Sequence, residues 1–217
     1  MRSNGSADGA GHRRGPDTAR AIDEAATELF FLRGYHATSM KAIGDAAGVQ
    51  PAAIYHWYPN KEALLIHLQD VFMRELTRKV EAAVDRQERG AFRLAAAVRE
   101  HVLFHASHTR EAFVTDSEIR ALSARPRREL IAQRDAYEQY FFSMIQAGVR
   151  EGDLRTPDAH VATFAILLQC TGVSMWFRPS GAVTAEQVAD YHVDLVLGSL
   201  HAPAEVIQAA IQTVTDR

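Results

Sequence analysis

The chain has 217 residues, 47% of them hydrophobic and 24% charged, the balance of an ordinary globular protein long enough to bury a core. Its one cysteine, Cys170, excludes an internal disulfide framework and suits a reducing compartment. A formal net charge of −3 lends nothing to nucleic-acid binding, so any such role must rest on a local arrangement.

Residues 1–17 are rich in Gly and Ser and hold no apolar core, which predicts a disordered arm and no secretory leader. His12, Arg13 and Arg14 in this arm suit a minor groove or phosphates, although a solvated tail without a role is the simpler expectation. Ile22, Ala25, Ala26, Leu29 and Phe30 then recur at helical spacing. They predict a first helix over 18–33, capped by Asp17 or Thr18 and ended by Gly34.

The stretch 38–65 organises the rest. An apolar-periodic octet, Met40 to Ala47, is followed by Gly48, a glycine where a helix must end with positive φ. Thr38 and Ser39 offer hydroxyl caps to this helix, and Pro51 suits the first turn of a second one. Gly44 is expected to make room for a close crossing, with Ile43, Val49 and Ile54 as the apolar plug between the helices. A helix, a tight turn and a helix form the device that presents one short helix to the DNA major groove. The plain alternative is a helical hairpin buried in an all-α core. Gln50, Tyr55, His56, Trp57 and Lys61 around the second helix weigh against it, because a core would not take such groups. Trp57 and Tyr58 are expected to pack between helices. The named region is not basic: over residues 1–66, seven Lys and Arg are matched by seven Asp and Glu.

A fourth helix is predicted from Asn60, its cap, to about 86, with Glu62 in its first turn. Further helices are predicted over 91–107, 110–122 and 126–150, the last closed by Gly152. An eighth should span 158–176 with Thr156 as cap and Pro157 in its first turn. A Thr184–Gln187 capping box should open a ninth over 185–200, and a weaker one covers 204–213. The uncharged run 161–177 is broken by Thr163, Gln169, Thr171 and Ser174, and reads as a buried helix rather than a membrane span. No stretch alternates with period two, so the fold class is all-α with about nine helices. The expected division is an arm at 1–17, a three-helix DNA-binding domain at 18–66, a helical ligand-binding and dimerisation domain at 67–203, and a tail at 204–217 that holds the weaker helix.

The segment from Ile22 to Leu65 resembles the TetR family of bacterial transcriptional regulators. Ala26, Leu29, Phe30, Gly34, Tyr35 and Thr38 match its first run. Ile43, Ala47, Gly48 and Val49 match its second, and Ile54, Tyr55, Tyr58, Lys61, Glu62 and Leu65 its third. Gly44, Gln50 and Ala52 depart from the family's usual Ala, Ser or Thr, and Gly, which bears on base preference because position 50 caps and aims the recognition helix. The resemblance implies a cytoplasmic homodimer, nucleoid-associated when bound, reading a palindromic double-stranded operator. Gln50, Ala52, Ala53 and His56 suit base edges, since Gln can bind adenine bidentately and Ala can meet a thymine methyl. Thr38, Tyr55 and Lys61 suit phosphates, with Ser39 and Pro51 completing the surface. The last two long helices of the family's second half pair with a partner subunit. Here that nominates Phe164, Leu168, Met175, Tyr191 and Leu195, the first three on a helix apolar nearly all round, which needs burial on both sides.

Trp176, Phe177 and Arg178, with the stretch 118–134, are similar to a branch of the family that responds to acyl-CoA thioesters. Arg125, Arg127, Arg128 and Arg134 form a basic cluster suited to the phosphates of a CoA. An apolar pocket is expected from Phe104, His105, Phe113, Arg134, Tyr137, Phe141, Phe164 and Trp176. A repressor answering a hydrophobic xenobiotic is the alternative within the family, and a helical ligand-binding or enzyme-like protein without DNA binding is the alternative outside it.

His101, His105 and His108 fall at i, i+4 and i+7 on one helix face. Three imidazoles can ligate zinc, but no cysteine accompanies them and pocket-lining histidines are the better expectation, so no metal and no cofactor are assigned. There is no nucleophile elbow, no H-E-x-x-H and no phosphate-cradling glycine loop, and the chain is expected not to be an enzyme.

Overall fold

The computed structural model describes residues 15–215. The chain divides into two units between Leu64 and Leu65, inside a continuous helix. The boundary falls two residues before the expected one. The arm residues His12, Arg13 and Arg14 lie outside the described residues.

The first unit holds α1 (Gly15–Arg33), α2 (Met40–Ala47), α3 (Pro51–Trp57) and the start of α4 (Lys61–Val84). Asp17 and Thr18 lie inside α1 and do not cap it. Its apolar stripe is fully buried at Ile22, Ala26 and Phe30. The Ser39 hydroxyl caps α2 by accepting the Ala42 amide at 3.1 Å. Gly48 ends α2 at φ 67°, and the Gly48 and Val49 amides turn back onto the Asp45 and Gly44 carbonyls at 3.2 and 2.9 Å. Such a φ is cheap for glycine alone. Gly44, by contrast, is not required. A Cβ there would stand 3.6 Å from the Val49 carbonyl oxygen, an ordinary contact, so the expected close crossing does not depend on glycine. Tyr58 is buried and donates to Asp23 at 2.7 Å, whereas Trp57 stays 38% exposed and does not plug the helices. The Asn60 side chain caps α4 through the Ala63 amide at 2.8 Å.

The second unit is built around α5 (Gly90–Ser107), which packs against α7 (Ala124–Glu151), α8 (Ala159–Thr171), α10 (Ala185–Ser199) and α11 (Ala204–Thr215). Small residues make this possible: Ala91, Ala95 and Ala97 are fully buried beside Leu94, Val98 and Val102. At the first turn of α5 two backbones touch. A Cβ on Gly90 would collide with the backbone of Gly148 in α7, and one on Gly148 would run into the Leu154 side chain. Flanking bonds hold this crossing, with the Gly90 amide donating to Glu151 at 2.7 Å and Arg89 paired with the buried Asp153.

Between α5 and α7 lie α6 (Thr109–Ser117) and a 3₁₀ turn, Glu118–Ala121, where one helix over 110–122 was expected. Gly152 closes α7 at φ 83°. The cap of α8 is Asp158, whose carboxylate accepts the His160 and Val161 amides at 2.8 and 3.2 Å, and not Thr156, whose hydroxyl donates to the Asp158 carbonyl. The eighth helix is interrupted. Gly172, with ψ −17°, tightens the turn and separates α8 from α9 (Val173–Trp176). The capping box on α10 forms as expected, with Thr184 and Gln187 bonded reciprocally. Residues 204–215 are no loose tail: α11 buries Ala210 and Val214 against the core.

Candidate nucleic-acid interface and effector cleft

The turn at Gly48 fixes which face of α3 looks outward. Ile54 enters the core at 1% exposure, while Gln50, Ala52, Tyr55 and His56 are exposed and Ala53 is half-buried. Pro51 occupies the first turn of α3, where its missing N–H costs nothing. Gln50 is the N-cap residue but makes no side-chain cap bond, so its amide serves neither as cap nor as brace. Side chains of the types that meet base edges and phosphates therefore share one short helix surface.

Two expected phosphate ligands turn inward instead. Thr38 is 2% exposed, with its hydroxyl 2.9 Å from the Gly34 carbonyl oxygen and 3.3 Å from that of Leu29. It closes the end of α1. The Lys61 ammonium donates to the Tyr35 and Thr38 carbonyls, both at 2.6 Å, and sits 4.3 Å from the centre of the Tyr35 ring. The Thr38 hydroxyl is thus used inside the unit and is not presented to a phosphate, while the half-buried Lys61 supplies a donor to carbonyls of the segment 34–39.

In the second unit, His105, Arg134 and Tyr137 meet in one cleft of about 150 Å³, joined by Phe72, His101 and Thr171. His101 is enclosed, with Nδ1 2.8 Å from the Tyr137 hydroxyl and Nε2 3.1 Å from that of Thr171. The His105 ring stacks on it at 4.1 Å. Burial holds both imidazoles in the neutral form, His101 well below its ordinary range and His105 down to about 4. Arg134 donates to the Thr115 carbonyl at 2.7 Å and stands 3.4 Å from Asp116. Burial raises the Asp116 carboxyl, and Arg134 partly offsets it.

The other expected pocket residues are elsewhere. Phe104 and Phe141 are core, at 1% and 0% exposure, while Phe113, Phe164 and Trp176 are 40%, 57% and 52% exposed. The helical period marks these rings as apolar but does not say which neighbour each one faces. The sequence had marked His101 as a histidine of the stripe; what it could not show was that Tyr137 and Thr171 converge on it. His108 instead bonds its own helix, with Nδ1 2.9 Å from the Phe104 carbonyl oxygen. No group of three metal-ligating side chains occurs among the described residues. Arg125 pairs with Glu129 at 2.9 Å, and neither it nor Arg127 or Arg128 lines the cleft.

Residues 22–68 match the family model described as bacterial regulatory proteins, tetR family, and residues 87–200 match that of the tetracyclin repressor-like C-terminal domain. The chain belongs to the TetR family. It is 29% identical to the HTH-type transcriptional repressor KstR2 of Rhodococcus jostii (strain RHA1), over 84% of this chain and 90% of the relative. Among solved structures, a bacterial regulatory protein in the tetR family from Rhodococcus RHA1 superposes with a TM-score of 0.80 at 28% identity, covering 86% of this chain and 98% of that one. AibR, solved in complex with isovaleryl coenzyme A and operator DNA, superposes with a TM-score of 0.75 at 29% identity, over 82% and 97% of the two chains.

TetR proteins are DNA-binding regulators and not enzymes, so Cys170 of this TetR chain is a structural thiol: it is fully buried, and burial pushes it up to about 12. On the second unit of this TetR chain the residues expected at a subunit interface are all exposed. Phe164, Leu168 and Met175 on α8 and α9 stand at 57%, 77% and 74%, and Tyr191 and Leu195 on α10 at 61% and 59%. The stretch Ala159–Trp176 has a mean hydropathy of 1.3 and is long enough to cross a membrane by length and composition, yet it is interrupted at Gly172 and partly built into the core.

Proposed function

We propose that this chain is a homodimeric TetR-type repressor that leaves a palindromic operator when an acyl-CoA-type thioester enters its second unit. The observation that carries the reading is the likeness, along nearly the whole of both relatives, to a transcriptional repressor and to a regulator crystallised with an acyl-CoA and operator DNA. The exposed and half-buried residues on and beside α3 support DNA contact: Gln50, Ala52, Ala53 and His56 towards base edges, and Tyr55, with Ser39 at the start of α2, along the backbone. The apolar faces of α8 and α10 support a two-fold dimer, which would set two α3 helices against two half-sites. Its site of work is the bacterial cytoplasm, on the nucleoid when bound. Ligand-driven release is a two-state equilibrium, and tenfold release needs only about 1.4 kcal/mol of coupling.

The experiment is a gel-shift titration with the DNA upstream of the protein's own gene, with and without a panel of acyl-CoAs. Binding at nanomolar protein that a thioester abolishes is the expected result. Binding that no CoA disturbs would leave a TetR repressor of the xenobiotic-responsive kind, and absence of binding to any genomic fragment would end the repressor reading.

A further inference from the structure

Two cavities in the second unit adjoin. The cleft of about 150 Å³ and a larger groove of about 630 Å³ between α4 and α7 share Met73 and Tyr137 as common walls. At the outer part of the groove the rim carries Arg74, Arg78 and Glu81. Arg74 is paired with Asp70 at 2.7 Å, whereas Arg78 has no ion pair among the described residues. At the inner end, His101 has both ring nitrogens bonded, but His105 has not. Its Nδ1 lies 2.9 Å from the His101 carbonyl oxygen, which can only accept, so Nδ1 carries the proton and Nε2 is a bare acceptor. That nitrogen is not sealed into the packing: the buried side-chain nitrogens and oxygens without a partner among the described residues belong to Gln69, Arg93 and Asp153. His105 itself is 3% exposed and lines the cleft. Burial keeps the ring neutral at ordinary pH, so the acceptor is permanent.

We infer that the α4–α7 groove and the cleft behind it bind a carrier-linked short acyl group, with Arg78 meeting the anionic carrier and His105 Nε2 accepting a hydrogen bond from a hydroxyl on the acyl chain. This rests on the acyl-CoA reading above and narrows it to hydroxylated acyl groups. Size agrees with a short chain. The cleft is small, about 150 Å³, and Phe72, Met73 and Leu76 supply apolar walls for the carbons. An acceptor in an apolar cleft discriminates sharply, because a ligand without a donor leaves it unpaired.

The test titrates the full chain calorimetrically with 3-hydroxybutyryl-CoA and butyryl-CoA, which differ by one hydroxyl. The wild type should prefer the hydroxyacyl thioester about tenfold, what one hydrogen bond of ordinary net strength supplies. His105→Phe should erase that preference while holding butyryl-CoA, and Arg78→Gln should weaken both thioesters equally. Nitrogen-15 spectra of the histidines give a second readout without a variant: the bare Nε2 signal of His105 should move with the hydroxyacyl thioester and stay with the plain one. Equal affinities in the wild type, a preference that survives His105→Phe, or an unmoved Nε2 signal overturns the inference and leaves the acyl-CoA reading standing. Binding of neither thioester by protein that still holds its operator overturns the inference, and the acyl-CoA reading falls with it only when the wider acyl-CoA panel also leaves operator binding undisturbed.

Discussion

Lys61 is bound to Tyr35 twice over, its ammonium 2.6 Å from the Tyr35 carbonyl oxygen and 4.3 Å from the centre of the ring. With Thr38 as the second carbonyl, the first turn of α4 is pinned to the chain entering α2. Lys61→Met should therefore cost stability, about 1–3 kcal/mol for buried carbonyls left without a donor. Operator affinity should fall with the loss of order, but the slope of log affinity against log salt should keep its wild-type value. A slope shallower by about 1 would return Lys61 to the phosphate ligands.

On α3 the two classes of contact separate by specificity. Gln50→Ala and His56→Ala should each lose about 1–3 kcal/mol on the best operator and relax preference at one position of the half-site. Tyr55→Phe should weaken all sequences alike. Binding measured over a panel of single-base operator variants distinguishes the two patterns.

The Gly90–Gly148 contact leaves no room for a methyl group. Gly90→Ala should destabilise the second unit by about 1–3 kcal/mol despite the better helix propensity of alanine, because two backbones must part. Thermal unfolding followed by circular dichroism reads this directly, and a rise in Tm would show that the crossing is loose.

Acid should weaken the fold through the histidine pair. An unfolded histidine titrates near 6.5, while folded His105 is lowered to about 4 and His101 is lowered as well. Between those values the unfolded chain binds more protons, so stability rises with pH. The contribution is complete above about 6.5 and is lost as pH falls towards 4. Denaturant titrations at several pH values should show a loss of a few kcal/mol across that window, and His105→Phe should flatten part of it.

A charge on the exposed apolar face should break the dimer. Leu168→Glu combined with Leu195→Glu buries unpaired carboxylates in any two-fold pairing of these helices. Analytical ultracentrifugation should find monomers that remain helical but no longer hold a two-half-site operator. A variant that stays dimeric would place the interface elsewhere.

Much of the fold was legible because its signals are local. Gly48, the Asn60 cap and the Thr184–Gln187 box each act within a turn of their own position, and the stripe from Ile22 to Phe30 follows from helical period alone. What escaped the sequence depends on contacts between distant residues. Thr38 and Lys61 read as surface cations and hydroxyls, and only the carbonyls at the end of α1 and before α2 draw them inward. The pocket was overfilled for a related reason. Periodicity shows that Phe104, Phe141, Phe164 and Trp176 are apolar, but not which neighbour each faces, and the core took the first two while solvent took the others.

The last helix carries a consequence for how the chain is made. α5 is covered partly by α11, which begins long after α5 ends, at Ala204 against Ser107. At about 5–20 residues per second, a ribosome needs on the order of 5–20 seconds to cross that interval. Throughout it the part of the alanine-rich α5 surface that α11 later covers is without that helix.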